Sequence, residues 1–326
     1  MIKRLIAIAL VVCGVPFAPH AQPQTTKVYR VGFLGTASAS GYVREIEWIR
    51  AGLRKAGYEE GRNLVLELRW AEGSAERARE IAAEFVALKV DAILVHGIPG
   101  ALAASRVTSS IPIVMADGAD PVAAGLAASL ARPGRNVTGS TSFVPEDSAK
   151  RLELLREVLP HARRIGFLRS RTPPPSYPAI SKALQAAANS AGVELVEFIT
   201  ADGGDLPETF RAMGTAKIEA LVVNNEPQLN AQASVIAALA SVTRLPAIGY
   251  PSFADQGGLL AYGSNRAALY QRAGYFIDRI FKGARPADIP FEQAASFELI
   301  VNAKTARALG VRIPQEVRLR AERVIE

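Results

Sequence analysis

Cysteine is almost absent from this chain: its 326 residues include one, Cys13, and that one sits in an apolar leader. Once the leader is gone no thiol remains, which excludes disulfide staples, thiol nucleophiles and thiolate metal sites. Histidine is nearly as scarce, at three residues. Without His20 of the leader, only His96 and His161 are left for acid–base or metal chemistry. No later run reaches the roughly 20 apolar residues that a membrane-crossing helix needs. A cluster of one charge sign is also missing. The chain has 38 Lys and Arg against 31 Asp and Glu, a formal net charge of +7, but acids are interspersed among the bases. This pattern predicts a solvated surface and no nucleic-acid-binding stripe.

What is present is ample apolar material, 49% of the residues, enough for two cores of ordinary domain size. Lys3 and Arg4, then the apolar run from Leu5 to Ala18, then polar residues from His20, have the three-part layout of a secretory signal. Cleavage is expected after Ala21, giving a signal peptide over 1–21 and a soluble, exported protein of the periplasm. Leu10-Val11-Val12 ahead of Cys13 lacks the small residues of a lipidation site, so Cys13 reads as part of the signal.

The stretch Val31-Gly32-Phe33-Leu34-Gly35-Thr36 returns later as Ile165-Gly166-Phe167-Leu168-Arg169-Ser170. Each copy has the pattern of a buried parallel strand whose carboxyl end opens into a loop. Ala56-Gly57-Tyr58 follows the first copy at nearly the distance at which Ala191-Gly192-Val193 follows the second, each a helix stop before a new strand. Ile111-Pro112-Ile113-Val114 and Leu245-Pro246-Ala247-Ile248 keep the same correspondence. A period this long is too large for a solenoid, so two α/β lobes are predicted.

Along the first half, strands from Lys27, Asn63, Asp91 and Ile111 alternate with helices over 42–56, 74–88 and the alanine-rich stretch after Pro99. This is a βαβ series with right-handed crossovers. A fourth helix is predicted over Pro121 to Leu130. In the second half the predicted strands run from Arg164, Val193, Ala220, Ala247 and Leu259. Thr172-Pro173-Pro174-Pro175-Ser176 is an extended loop. A late strand, Phe297 to Asn302, and a helix stopped at Gly310 follow the completed second half. The chain therefore re-crosses between the lobes, and several crossings make a hinge.

In this order, Ala56 to Asn63, Trp70-Ala71-Glu72-Gly73, Pro99 to Thr108, Asp120-Pro121-Val122 and Arg132 to Gly139 form a distinctive series. Arg151 to Leu155, Tyr262-Gly263 and Phe297 to Gly310 continue it. Together they resemble the periplasmic substrate-binding proteins of ABC transporters of the tryptophan/tyrosine type, with a type I periplasmic-binding fold. The resemblance implies an α/β fold of two doubly wound, flavodoxin-like lobes with parallel sheets, joined by a three-crossing hinge. It places lobe 1 at 27–140 and 262–285, and lobe 2 at 141–261 and 286–326.

A ligand would lie between the lobes, at the carboxyl ends of the strands, where helix amino termini present free N–H groups. Thr36 and Ser38 follow the first strand and are candidates to hold a carboxylate, or form an ordinary polar loop. His96 and Gly97 follow the third strand and face the expected cleft. Where the family has threonine this chain has Ile98, so one hydroxyl is missing. Asp120 before Pro121 reads as a helix cap, although the family places this motif at the cleft. Asp117 has no capping duty and is the candidate ammonium partner. Arg169 and Ser170 stand where the family commonly shows an asparagine–proline turn; Arg169 either pairs with a carboxylate or points to solvent. Asn225 and Glu226 follow a second-half strand, and Tyr250 and Tyr262 either stack on a planar ligand or pack in the core and hinge.

The function expected from these features is that of a monomeric receptor of an ABC importer. It closes its lobes on a small ligand, an amino acid or related carboxylate, and delivers it to a permease in the inner membrane, without cofactor, metal or catalysis. Two alternatives stand beside it: a ligand-sensing partner of a membrane signalling protein, and an exported enzyme using Asp117 and Glu226 as acid and base.

Overall fold

The computed structural model describes residues 27–173, 176–201 and 205–326. The signal peptide expected over 1–21 lies outside them, as do residues 174 and 175 of the proline loop.

In the first half, β1 (Tyr29–Gly35), α1 (Val43–Lys55), β2 (Leu64–Trp70), α2 (Ala75–Ala87), β3 (Ala92–His96), α3 (Gly97–Val107), β4 (Ile113–Asp117) and β5 (Val137–Thr141) follow in order. The second half runs α4 (Glu146–Val158), β6 (Arg164–Ser170), α5 (Tyr177–Ala191), β7 (Glu194–Thr200), α6 (Leu206–Thr215), β8 (Ala220–Val223), α7 (Pro227–Ala231), α8 (Ala233–Val242), β9 (Ala247–Gly249), α9 (Pro251–Asp255) and β10 (Leu260–Ser264). The chain then adds α10 (Arg266–Phe281), β11 (Glu292–Gln293), β12 (Phe297–Asn302), α11 (Ala303–Leu309), α12 (Gln315–Leu319) and β13 (Arg323–Ile325).

Two sheets result, ordered β11-β5-β4-β3-β1-β2 and β13-β12-β10-β9-β8-β6-β7. Each contains the flavodoxin-like order, β2-β1-β3-β4-β5 in one and β7-β6-β8-β9-β10 in the other. The two copies of the repeated stretch are thus β1 and β6, the strands beside the point where each winding reverses. Both are buried on both faces because helices cover both faces of a doubly wound sheet. Val31 and Phe33 face α1 and α10, whereas Leu34 joins Ile93 and Val95 under α2 and α3. In the second lobe Ile165 and Phe167 lie under α4 and α5, and Leu168 lies with α6 and α8.

Each lobe borrows a helix across the hinge. α10 follows β10 of the second sheet but docks on α1, so closely that a Cβ added at Gly52 would stand 2.1 Å from the Gln271 carbonyl oxygen, and one at Gly274 2.2 Å from that of Gly52. α4 follows β5 of the first sheet and docks on α5, through leucines.

The crossings fall elsewhere than at 261/262 and 285/286. Tyr262 is in β10, paired antiparallel with Leu299 of β12, and so belongs to the second sheet. Residues 286–293 stay with the first lobe: Ile289 and Phe291 fill its two cores and β11 pairs with β5. The three connections are laced together. Asn265 N–H donates to the Ser296 carbonyl at 2.9 Å, and Ala294 N–H to that of Thr141 at 2.9 Å.

The predicted helix over Pro121 to Leu130 is instead a series of turns. Gly125 adopts φ of 72°, a left-handed conformation that ends any helical run there. The helical stretch after β8 is divided at Gln232 into α7 and α8.

Candidate functional site

At the carboxyl edge of the first sheet, side chains from five segments converge. Tyr42, at the end of a short 3-10 turn, stacks on Trp70 from the end of β2, with centroids 5.5 Å apart and planes at 17°. The edge of His96 meets Tyr42 at 5.4 Å. Tyr270 of α10 holds His96 Nδ1 through its hydroxyl at 2.5 Å. These rings form an aromatic wall, with Thr36 at its rim: its N–H donates to the Tyr42 hydroxyl at 3.1 Å and its own hydroxyl lies 3.0 Å away. Ser38 is half-buried and bonded to Ser40 instead.

Behind the wall is a charge cluster with unequal signs. Arg266 stands 3.6 Å from Asp117 and 3.3 Å from Glu45, so one guanidinium serves two buried carboxylates. His96 adds no compensating charge. Burial pulls its pKa down to about 4, against the pull of Asp117 and with the help of Arg266. Asp117 Oδ1 is enclosed and has no hydrogen-bond partner among the described residues. A buried acceptor left unpaired costs roughly 1–3 kcal/mol, so this oxygen and the surplus negative charge suit a bound cationic donor.

Asp120 takes the capping role at its turn, where its carboxylate accepts from the N–H groups of Val122 and Ala123. Gly97 opens α3 with φ of 71°. A cavity of about 740 Å³ lies between α2 and α3, bordered by Thr36, Ala37, Ser38, Ala78 and Leu102. It is a side chamber of the first lobe and does not include the Asp117 cluster.

The second lobe presents a different edge. Arg169 lies along β6 and is engaged by Glu197 of β7 at 2.9 Å, with its guanidinium over the Tyr177 ring. Both partners come from its own lobe. Ser170 is buried, and its N–H donates to Glu226 at 2.9 Å. Glu226 is fully enclosed and also accepts from the Asn224 amide. It therefore ties β6 to the loop after β8. Tyr250 is buried with its hydroxyl on the Leu229 carbonyl at 3.3 Å, and burial raises its pKa. Asn225 is exposed and accepts from Asn230, and Tyr262 stacks on Phe297 at 5.8 Å.

Sequence reasoning did not find Tyr42, Glu45, Trp70, Arg266, Tyr270 or Arg151. Five of these belong to the first-lobe cluster, and only the order of strands brings them together. Arg151 was visible as part of a family-like run but had no assigned role. It is 2% exposed, and its Nε donates to the Tyr262 carbonyl at 2.8 Å.

A family model described as ABC transporter substrate binding protein matches residues 33–325. A tyrosine-binding protein of Clostridioides difficile (strain R20291) is 28% identical over 260 residues, 79% of this chain and 74% of that protein. Among solved structures, an ABC domain from Streptococcus pneumonia in complex with L-Trp shares 25% identity with a TM-score of 0.80, covering 92% of this chain and all 100% of that one. A ligand-free, open substrate-binding protein with adhesive properties from Clostridium difficile shares 26% with a TM-score of 0.77, covering 91% and 99%. A conserved domain protein from Vibrio cholerae shares 25% with a TM-score of 0.79, covering 91% and 100%.

Proposed function

Because this chain belongs to the ABC transporter substrate-binding protein family, we propose that it is an exported receptor for an aromatic amino acid, which closes its lobes on the ligand and delivers it to a membrane permease. The observation behind the choice of ligand is the unpartnered Asp117 carboxylate oxygen beside a wall of aromatic rings. The ammonium of an amino acid supplies the missing donor and charge. Its ring packs against Trp70, the half-buried member of the wall, in the offset or edge-on geometries that aromatic pairs favour. The names of two relatives, a tyrosine-binding protein and an L-Trp complex, point the same way.

The position of the site at one edge of a two-lobed molecule supports closure. A ligand held open touches one lobe, while in the closed state it touches both, and this difference in contact shifts the population toward closure. No bond making is required, and the engaged state of Glu226 leaves it poorly placed to act as an acid or base with Asp117.

Calorimetric titration with L-tyrosine, L-tryptophan and non-aromatic amino acids tests the reading. Aromatic amino acids should bind, and Asp117→Asn should weaken them about 100-fold, the scale of a charge-assisted hydrogen bond. Equal affinity in wild type and variant, or no binding of any amino acid, would refute it.

A further inference from the structure

Among the described residues Arg151 heads the large side chains that are almost fully enclosed, with 2% of its surface exposed. Its position on α4 brings it under the carboxyl edge of the second sheet, where Tyr262 and Gly263 close β10 and Pro251 follows β9. Its Nε is held by the Tyr262 carbonyl at 2.8 Å and its Nη1 approaches the Ser148 hydroxyl at 3.4 Å. Nη2 makes no hydrogen bond among the described residues. It lies 3.4 Å from where a Cβ on Gly263 would stand, and Pro251 Cδ is 2.8 Å from that same point. The glycine thus leaves room for the guanidinium beside the proline ring.

Nη2 thus keeps donors for an acceptor outside its own lobe. Asp147, one turn earlier on α4, faces it but does not close to an ion pair. Burial raises the Asp147 carboxyl to about 6, which weakens its charge as a partner. Burial likewise lowers the Arg151 pKa in spite of Asp147, as expected for a cation short of counter-charge. Arg169, the other second-lobe candidate, is already engaged by Glu197.

Across the cleft the signs are reversed. Glu45 and Asp117 share one Arg266, leaving the first-lobe edge with a surplus of negative charge. We propose that Arg151 is the carboxylate anchor of the second lobe, so that the ligand is an α-amino acid bound as a zwitterion, with its ammonium at Asp117 and its carboxylate at Arg151. This rests on the amino-acid reading above. It explains how one small molecule joins two lobes: each of its charges is answered by a different lobe, so neither lobe alone satisfies both.

The test is a titration of wild type, Arg151→Met and Arg151→Lys with three probes that differ by one group. These are L-tyrosine, tyramine without the carboxylate, and 3-(4-hydroxyphenyl)propionate without the ammonium. Arg151→Met should weaken tyrosine about 100-fold and leave tyramine unchanged, with Arg151→Lys between wild type and Met. Equal loss for tyrosine and tyramine would reduce Arg151 to a structural role and overturn the proposal. So would a wild-type protein that binds tyramine as tightly as tyrosine, a comparison that needs no variant and stands even where Arg151→Met does not fold. Binding of the propionate as tightly as tyrosine, lost in Arg151→Met, would keep the anchor while removing the amino-acid reading.

Discussion

The two lobes share a winding order and a repeated central strand, yet they treat charge in opposite ways at the edge where they face each other. In the first lobe, carboxylates outnumber the cation that serves them, and one oxygen of Asp117 has no partner. In the second, Glu226 is engaged within the lobe, Arg169 spends its Nη1 and Nη2 there but leaves a buried Nε without a partner among the described residues, and Arg151 keeps donors in reserve. Similar frameworks therefore carry unlike ends. The sheets set where a ligand is met, and the residues just past each strand set what each lobe asks of it.

The most severe way to break the comparison is at the borrowed helices. Gly52→Val drives a side chain into the Gln271 carbonyl of α10 and should cost about 3 kcal/mol or more. Because Tyr270 and Arg266 ride on α10, the same change should also abolish ligand binding. The second-lobe counterpart, Leu184→Ala, leaves a cavity under α4 at a cost of about 3 kcal/mol, with ligand affinity retained. Urea unfolding beside calorimetry separates the two; loss of binding in both variants would mean that the borrowed helices do not act lobe by lobe.

A smaller effect sharpens the contrast between carboxylates. Glu226→Gln should destabilise the fold by about 1–2 kcal/mol, since a charged acceptor of buried donors becomes a neutral amide, but ligand affinity should hold. Asp117→Asn should do the reverse. A fall in affinity for Glu226→Gln like that of Asp117→Asn would place both residues on the ligand.

The smallest effect is a difference in pH response. His96 titrates near 6.5 unfolded and about 4 folded, so the stability tied to its neutral ring is complete above 6.5 and is lost as pH falls toward 4. Asp147 runs the other way. Its carboxyl moves from 3.8 to about 6, so its contribution is complete below 3.8 and is lost as pH rises through 6. In thermal melts from pH 4 to 7, His96→Gln should gain on wild type toward acid, and Asp147→Asn should gain toward neutrality. Parallel curves for either variant would remove that group from the account.

Much of the fold was legible because buried parallel strands are local, continuous apolar runs. Val31 to Leu34 and Ile165 to Leu168 needed no distant information to be recognised. The stretch after Pro121 misled because its cap and proline promise a helix, and the left-handed Gly125 cancels that promise four residues after the proline. The site was legible only where one residue sits at one strand end, as at Thr36, His96 and Asp117. Arg169 reads as a ligand-facing charge until the neighbouring strand supplies Glu197, two residues out of register with its backbone partner Ile199. Tyr42, Trp70, Arg266 and Tyr270 come from separate parts of the chain, and no spacing in the sequence marks their meeting.

The glycine contact between α1 and α10 also has a consequence for synthesis. Tyr270, Ala273, Phe276, Ile277 and Ile280 complete a core whose other members lie within 31–116, apart from Ile289. A growing chain that has emerged only as far as β10 therefore still shows the bare side of α1 to its surroundings. The amino-terminal half remains unfinished until nearly the whole polypeptide is available, and premature termination before α10 leaves a sticky fragment rather than a small folded domain.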